Sequence, residues 1–125
     1  MKTVVATSDA PQAIGPYSQA IDAGAVLFVS GQIPAGPDGA LVSGGVPAQT
    51  ERCLKNIEAI LKAAGLSLAD VVKTTVFMTD LGQFSAMNEV YARHFIAPHP
   101  ARATVQVSAL PKGAAIEIEA VAVRP

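Results

Sequence analysis

Residues 99–123 read HPARATVQVSALPKGAAIEIEAVAV and combine strand-forming residues with isolated charges. Two runs of alternating and β-branched residues within it, about 101–107 and 115–123, predict the last two strands of the chain. The first run carries Arg102, and the second carries Glu117 and a further glutamate two residues later. Charged groups inside apolar strands are costly unless they are paired or put to use. The pattern therefore raises the question of which applies here.

The charged side chains of these two strands can share one face of a sheet. Side chains alternate along a strand, so Arg102 lies on the side of Thr104 and Gln106, and Glu117 on the side of Glu119. If the strands pair as a hairpin, the guanidinium lies near both carboxylates. Two interpretations stay open: a salt-bridged, solvated sheet face, or an anion-binding site. In the second, the arginine fork holds a substrate carboxylate and a glutamate handles protons and positions water.

Four earlier segments also predict strands. They are KTVVA (2–6), YSQAID (17–22), AVLFVSGQI (25–33) and DVVKTTVFMT (70–79). A tight turn near Ala23 and Gly24 makes the second and third of these a hairpin.

Two helices are predicted between the strands. Apolar positions recur at helical spacing from Thr50 to Ala64, and Gly65 follows where a left-handed cap belongs. A second helix is predicted with an apolar face formed by Phe84, Met87, Val90, Tyr91 and Phe95, and it ends before two prolines. Since strands and helices do not alternate strictly, we expect one α+β domain over 1–125, with both helices on one face of a mostly antiparallel sheet.

The composition constrains assembly and partners. Hydrophobic residues make up 50% of the chain and charged residues 15%, against about 25% charged in typical domains. A domain of this size cannot hide so much apolar surface alone, so neighbouring subunits are expected to cover the free face of the sheet. The net charge of −1 and the lack of a basic run argue against a nucleic-acid partner. No apolar stretch is long enough for a bilayer, so we expect a soluble, cytoplasmic protein without a membrane partner.

The other reactive side chains favour structural roles. Cys53, the only cysteine, lies on the apolar side of the first helix and is expected to be buried. His94 and His99 lack metal-ligand spacing with a cysteine or carboxylate cluster, so no metal site is expected. Glu119 is interpreted as a salt-bridge partner rather than a second base. From the pattern alone, Tyr17 is a half-buried strand tyrosine.

Several motifs together resemble the reactive intermediate deaminase family, RidA, also called the YjgF-like family. They are AIGPYSQAI, LFVSGQIP, QTERCLKNIEAIL, VVKTTVFMTDL, FSAMNEVYARHF, PARATVQVSALP and IEIEAVAV. The P-A-R-x-x-V run, followed by L-P and I-E-I, is the most specific part. The resemblance implies a homotrimer of chorismate-mutase-like (ferredoxin-like) subunits with clefts at the subunit interfaces. It also implies hydrolysis of 2-imino acids or their enamines, such as 2-iminobutanoate and 2-iminopropanoate, to 2-keto acids and ammonia, without metal or organic cofactor.

The resemblance also implies roles for single residues. Arg102 matches the carboxylate-binding arginine of the family, and Glu117 matches the glutamate near the catalytic water. Positions that line the cleft in relatives match Tyr17, Ser30, Gly31 and Asn88. Thr104, also a cleft position, departs from the pattern because many members have cysteine there. Activity survives if this position works through its backbone, whereas a role for the thiol puts the rate or a redox response in doubt.

These residue types support imine hydrolysis. Arg102 would clamp the substrate carboxylate and so orient the C=N carbon. Desolvation would raise the pKa of Glu117, opposed by the nearby guanidinium, and this glutamate would transfer protons. Alternative functions are a metabolite-binding or chaperone-like protein without turnover, and RNA cleavage, both linked to members of the family. The acidic balance of the chain argues against RNA.

Overall fold

A computed structural model describes residues 2–125 as a six-stranded sheet with two helices. The strands are β1 (Thr3–Val5), β2 (Ala20–Asp22), β3 (Val26–Gln32), β4 (Val71–Met78), β5 (Ala101–Gln106) and β6 (Ile116–Val123). The helices are α1 (Val46–Ala63) and α2 (Phe84–His94). The predicted types and order of these elements are confirmed, and so is the α+β class. Three single-turn 3-10 helices, Leu68–Asp70, Leu81–Gln83 and Pro111–Gly113, were not predicted.

The strand order is β1-β2-β3-β6-β4-β5. Neighbours run antiparallel except β4 and β5, which are parallel because α2 connects them as a crossover. The predicted hairpin of the last two strands is therefore wrong. β6 lies between β3 and β4, and β4 pairs on both of its sides: Thr74 is in register with Arg102 of β5, and Phe77 with Glu117 of β6.

Both helices pack on one face of the sheet. The fully buried side chains of α1 meet buried side chains of β3, β4 and β6, including Leu27, Val76 and Ile118. α1 has a proline in its first turn and ends at a left-handed glycine, Gly65, with φ of 77°. The amide of Leu66 donates to the carbonyl of Leu61 at 2.8 Å, and that of Gly65 to Lys62 at 3.0 Å, which is the Schellman arrangement.

The opposite face of the sheet is uncovered in the single chain. Val4, Phe28 and Val105 expose 63%, 52% and 40% of their surface. Residues at register positions between them, such as Val121 beside Phe28, belong to the same face. We name this surface the open face. An uncovered apolar sheet of this kind is typical of an interface.

Two further predictions concern single features. Cys53 is fully buried, as predicted, and burial raises the pKa of its thiol. Among residues 2–125, no helix combines the length and apolarity that crossing a bilayer requires.

Candidate functional site

Arg102 lies on the helix side of the edge strand β5. Its Nη1 atom donates to Oδ1 of Asn88 at 2.7 Å. The guanidinium carbon lies 4.7 Å from the ring centroid of Tyr91 and 5.4 Å from that of Phe84. All three partners belong to α2, where the spacing 84, 88 and 91 places them on one side of the helix. α2 therefore determines where the guanidinium points.

The guanidinium of Arg102 has no acidic partner in the described part of the chain. The two ion pairs found there join other residues, His94 to Glu51 and Arg124 to Asp22. The interpretation of a salt-bridged sheet face around Arg102 is therefore wrong. A guanidinium carries five N–H donors, and Asn88 takes one of them. The remaining donors can bind a carboxylate through two parallel hydrogen bonds.

Glu117 lies on the open face of the sheet. Its neighbours in β6, Ile116 and Ile118, are fully buried toward the helices, so alternation turns Glu117 the other way. Its carboxylate lies against β3 at Gly31: a Cβ added there would be 2.0 Å from Oε2 of Glu117. Only glycine leaves room for the carboxylate in this position. The Glu117 carboxylate therefore occupies the space that a side chain at position 31 would fill.

Desolvation raises the pKa of Glu117, and the charge of Glu119 raises it further. The predicted direction is confirmed. The predicted opposing effect of Arg102 is not found within one chain, because β4 separates the two strands and the two side chains lie on opposite faces. Glu119 itself is exposed and forms no ion pair in the described chain, so its predicted salt bridge is wrong. It borders a shallow depression of the open face together with Ser30.

Ser30 and Gly31 lie next to one another in β3, so the hydroxyl and the Glu117 carboxylate belong to one region. Ser30 Oγ donates to the carbonyl of Ser18 at 2.6 Å, which leaves its oxygen free to accept. Tyr17 precedes Ser18 and lies in a loop, not in the predicted strand, and is 53% exposed. A single chain thus brings Ser30, Gly31 and Glu117 together. Tyr17 directly precedes Ser18, whose carbonyl accepts the hydrogen bond of Ser30.

The loop that carries Tyr17 is held by a buried side chain, Gln19. Its Oε1 accepts from the amide of Thr7 at 2.7 Å, and its Nε2 donates to the carbonyl of Pro11 at 2.7 Å. The amide of Ser30 donates to the carbonyl of Gln19 at 2.9 Å. The segment before β2 is therefore fixed against β3 by side-chain and backbone bonds.

On the helix side, Arg102 borders a cavity of about 380 Å³ between α2 and residues 99–102. Its lining includes Asn88, Tyr91, Phe95 and His99. Thr104 is two residues further along β5, on the same side and half-buried. No role in a site was predicted for Phe84, Tyr91 or His99.

For Phe84 and Tyr91, the helical spacing with Asn88 was a signal in the sequence that they share one side of α2. The same spacing indicated core packing equally well. His99 was interpreted as structural or at the surface; its Nδ1 lies 3.1 Å from the carbonyl oxygen of Phe95 and its ring borders the cavity. No pattern in the sequence indicates that the His99 ring borders this cavity.

The single chain thus forms two half-sites. One contains Arg102 with Asn88 and Thr104 on the helix side, and the other contains Glu117 with Ser30 and Gly31 on the open face. The expected proximity of guanidinium and carboxylate does not occur within one copy.

Comparisons with known proteins agree with this architecture. A family model described as Endoribonuclease L-PSP matches residues 7–124. A RutC family protein of Pyrococcus horikoshii is 55% identical over 98% of both chains. A human protein named 2-iminobutanoate/2-iminopropanoate deaminase is 50% identical over 99% of this chain and 91% of its own. The crystal structure of the YjgF gene product of E. coli superimposes with a TM-score of 0.92 at 47% identity, covering 98% and 99% of the two chains.

E. coli TdcF, solved with bound serine, is equally similar, with a TM-score of 0.92, 47% identity and the same coverage. The resemblance noted in the sequence is confirmed, since both the family model and the relatives extend over nearly the entire chain. The protein belongs to the Endoribonuclease L-PSP family, the family of the YjgF and RidA proteins.

Proposed function

We propose that the protein is a deaminase that hydrolyses 2-imino acids, such as 2-iminobutanoate and 2-iminopropanoate, to 2-keto acids and ammonia. Relatives from human, mouse and goat, 47–50% identical over 99% of this chain, carry the name of that activity. The observation that carries the proposal is the guanidinium of Arg102. It is positioned by α2, borders a cavity, and has no acidic partner in the described chain.

We propose further that the active site is shared between copies in a homotrimer. Arg102 and Glu117 lie on opposite faces of the sheet, so neither half-site is complete alone. The open face carries exposed apolar side chains, including Phe28 and Val105, which a neighbouring copy would cover. In a closed ring, each interface joins the guanidinium of one protomer to the carboxylate of the next.

The substrate carboxylate binds Arg102. Two N–H groups of the fork hold its two oxygens, and this fixes the neighbouring C=N carbon. Asn88 keeps the guanidinium in place by accepting a hydrogen bond from Nη1 of Arg102 at its Oδ1 atom. Thr104, on the same side of β5, offers a hydroxyl where many relatives have a thiol. We expect it to contact the substrate through backbone and hydroxyl.

Glu117 of the adjacent copy handles protons. Its raised pKa makes it a stronger base than an ordinary carboxylate. It takes a proton from water as the oxygen attacks the iminium carbon, which gives a neutral carbinolamine nitrogen. It then returns that proton to nitrogen. The C–N bond breaks, the C=O bond forms, and the hydroxyl proton leaves with ammonia as ammonium. The net change is iminium plus water to keto acid plus ammonium.

Ser30 and Tyr17 complete the second half-site. Because the Ser30 hydroxyl donates to Ser18, its oxygen accepts a hydrogen bond from the substrate nitrogen or the attacking water. Tyr17 is exposed in the single chain and closes the cleft in the assembly. The protein therefore needs no cofactor for this chemistry: positioning, one base and hydrogen-bond acceptors suffice for an intrinsically easy hydrolysis.

The proposal is tested by supplying the imine from a pyridoxal-phosphate dehydratase acting on threonine. Keto acid formation is followed in the presence of semicarbazide, which traps imine that escapes hydrolysis. Arg102→Ala and Glu117→Gln are each expected to lose about 10²-fold or more of the rate. Arg93→Ala, at an exposed arginine of α2, is the matched control and keeps full activity. Equal rates with and without the wild-type protein would favour the alternative of binding without turnover.

The shared site has its own test. Arg102→Ala and Glu117→Gln chains are unfolded together and refolded as a mixture. In a random trimer about one quarter of the interfaces join an intact guanidinium to an intact carboxylate, so about one quarter of the wild-type activity returns. Activity no higher than that of the two separate variants contradicts a site between copies.

Incubation with single-stranded RNA under the same conditions tests the RNA-cleaving alternative that the family description suggests.

A further inference from the structure

We infer that two aromatic residues of α2, Phe84 and Tyr91, are positioning residues that hold Arg102 ready for its ligand. The inference rests on the proposed function, since it concerns how the guanidinium is presented to a carboxylate. The guanidinium carbon lies 4.7 Å from the ring centroid of Tyr91 and 5.4 Å from that of Phe84. Both distances are within the range of cation–π attraction. We call these two rings the aromatic clamp.

The Tyr91 ring is itself anchored beside the strand that carries the arginine. Its hydroxyl lies 2.7 Å from Oγ1 of Thr74, and both residues are buried. Thr74 is the direct register neighbour of Arg102 across β4 and β5. This hydrogen bond and the burial of the ring together keep it beside the guanidinium. The Phe95 ring packs against it, with ring centroids 4.6 Å apart.

The aromatic clamp solves a specific problem of Arg102. A long cationic side chain must be held still before it binds, because freezing it during binding reduces affinity. A carboxylate partner would hold it but would also occupy the N–H groups that the ligand needs. Ring faces attract the cation through their quadrupole and use none of its N–H groups. Asn88 then fixes the rotation of the fork with a single bond.

The structural alternative is that Tyr91 only fills the core and satisfies its hydroxyl. The two roles predict different effects of substitution. Replacing a residue that only fills the core lowers the stability of the protein. Replacing a positioning residue weakens carboxylate binding and raises KM, with a smaller effect on kcat. The probe is 2-oxobutanoate, a 2-keto acid product of the proposed reaction, bound to the assembled protein and measured by calorimetry.

Three variants test the aromatic clamp. Tyr91→Leu removes the ring and is expected to weaken 2-oxobutanoate binding and raise KM by about 2- to 30-fold. Phe84→Leu, at a position that exposes 37% of its surface, is expected to give a smaller effect in the same direction. The pair Tyr91→Phe with Thr74→Val keeps the ring and removes both hydroxyl partners together, so it leaves no buried group unpaired. It is expected to stay within about twofold of the wild type.

Val90→Ala is the control for lost packing, because Val90 is buried in α2 and does not line the cavity beside Arg102. It is expected to lower the melting temperature and leave binding unchanged. The inference is overturned if Tyr91→Leu and Phe84→Leu bind the probe like the wild type, or if the ring-retaining pair loses as much affinity as Tyr91→Leu. Arg102→Ala separates the two levels: if it too binds normally, the proposed function fails, and not only the clamp.

Discussion

Gly31→Ala is expected to remove activity without unfolding the protein. A Cβ at this position would lie 2.0 Å from Oε2 and 2.9 Å from Cδ of Glu117. Since non-bonded heavy atoms need more than about 3 Å, the carboxylate oxygen has to move by about 1 Å or more. The atoms that must move are the end of a flexible side chain, and Gly31 does not have a positive φ. The backbone therefore accepts alanine.

The magnitude follows from the displacement. A misplacement of about 1 Å at a reacting group costs on the order of 10²-fold in rate, which corresponds to about 2.7 kcal/mol of transition-state stabilisation. The free energy of unfolding is expected to change by less than about 1 kcal/mol, because alanine also reduces the freedom of the unfolded chain. Activity and stability thus respond very differently to one added methyl group.

The assay is kcat/KM for imine hydrolysis in a double-mutant cycle with Glu117→Ala. If alanine at position 31 acts by moving the carboxylate, it has no further effect once that carboxylate is absent. Gly45→Ala is the matched control, since its Cβ would meet nothing closer than 3.8 Å. A native-like Gly31→Ala protein with full activity would refute the reasoning, as would a second loss of about 100-fold in the Glu117→Ala background.

Three further predictions concern stability. Glu117→Gln is expected to be more stable than the wild type at neutral pH. The pKa of Glu117 in the folded protein lies above the ordinary 4.5, so ionisation of its carboxylate destabilises the fold as pH rises from 4.5 through the folded pKa. The difference in stability between variant and wild type disappears in acid, where the carboxyl group is protonated. Thermal unfolding at several pH values checks this. Glu51→Gln is expected to show the opposite dependence, because the bond to His94 lowers the pKa of Glu51; its melting temperature falls below that of the wild type near neutral pH and matches it once pH drops through the folded pKa. Leu54→Ala, at a fully buried position of α1, is expected to lose about 2–5 kcal/mol in urea unfolding.

The sequence predicted most of the fold because its patterns are local. The apolar spacing of α1 and the glycine that ends it depend only on neighbouring residues, and alternation identified each long strand. Strand order is not local. The hairpin assumed between β5 and β6 was wrong because β4, which pairs on both sides, takes the place between them. Nothing in residues 99–123 alone carries that information.

The candidate site was predicted in its parts and not in its arrangement. Arg102 and Glu117 were found because charged groups stand out in apolar strands, and the direction of the Glu117 pKa followed from its neighbours. Their separation depends on which face each strand turns to the helices, so the expected guanidinium effect on that pKa does not occur within one chain. Tyr91 was assigned to the core, where it is indeed buried, and its contact with the guanidinium required three dimensions.

The open face has a consequence for how the protein is made. A newly synthesised chain that folds before meeting another copy displays Val4, Phe28 and Val105 on an uncovered sheet face. Exposed apolar surface of this kind is an aggregation liability. In the proposed assembly, the time for which this face stays uncovered shortens as the concentration of copies rises, so aggregation during folding is expected to be greatest where few copies are present.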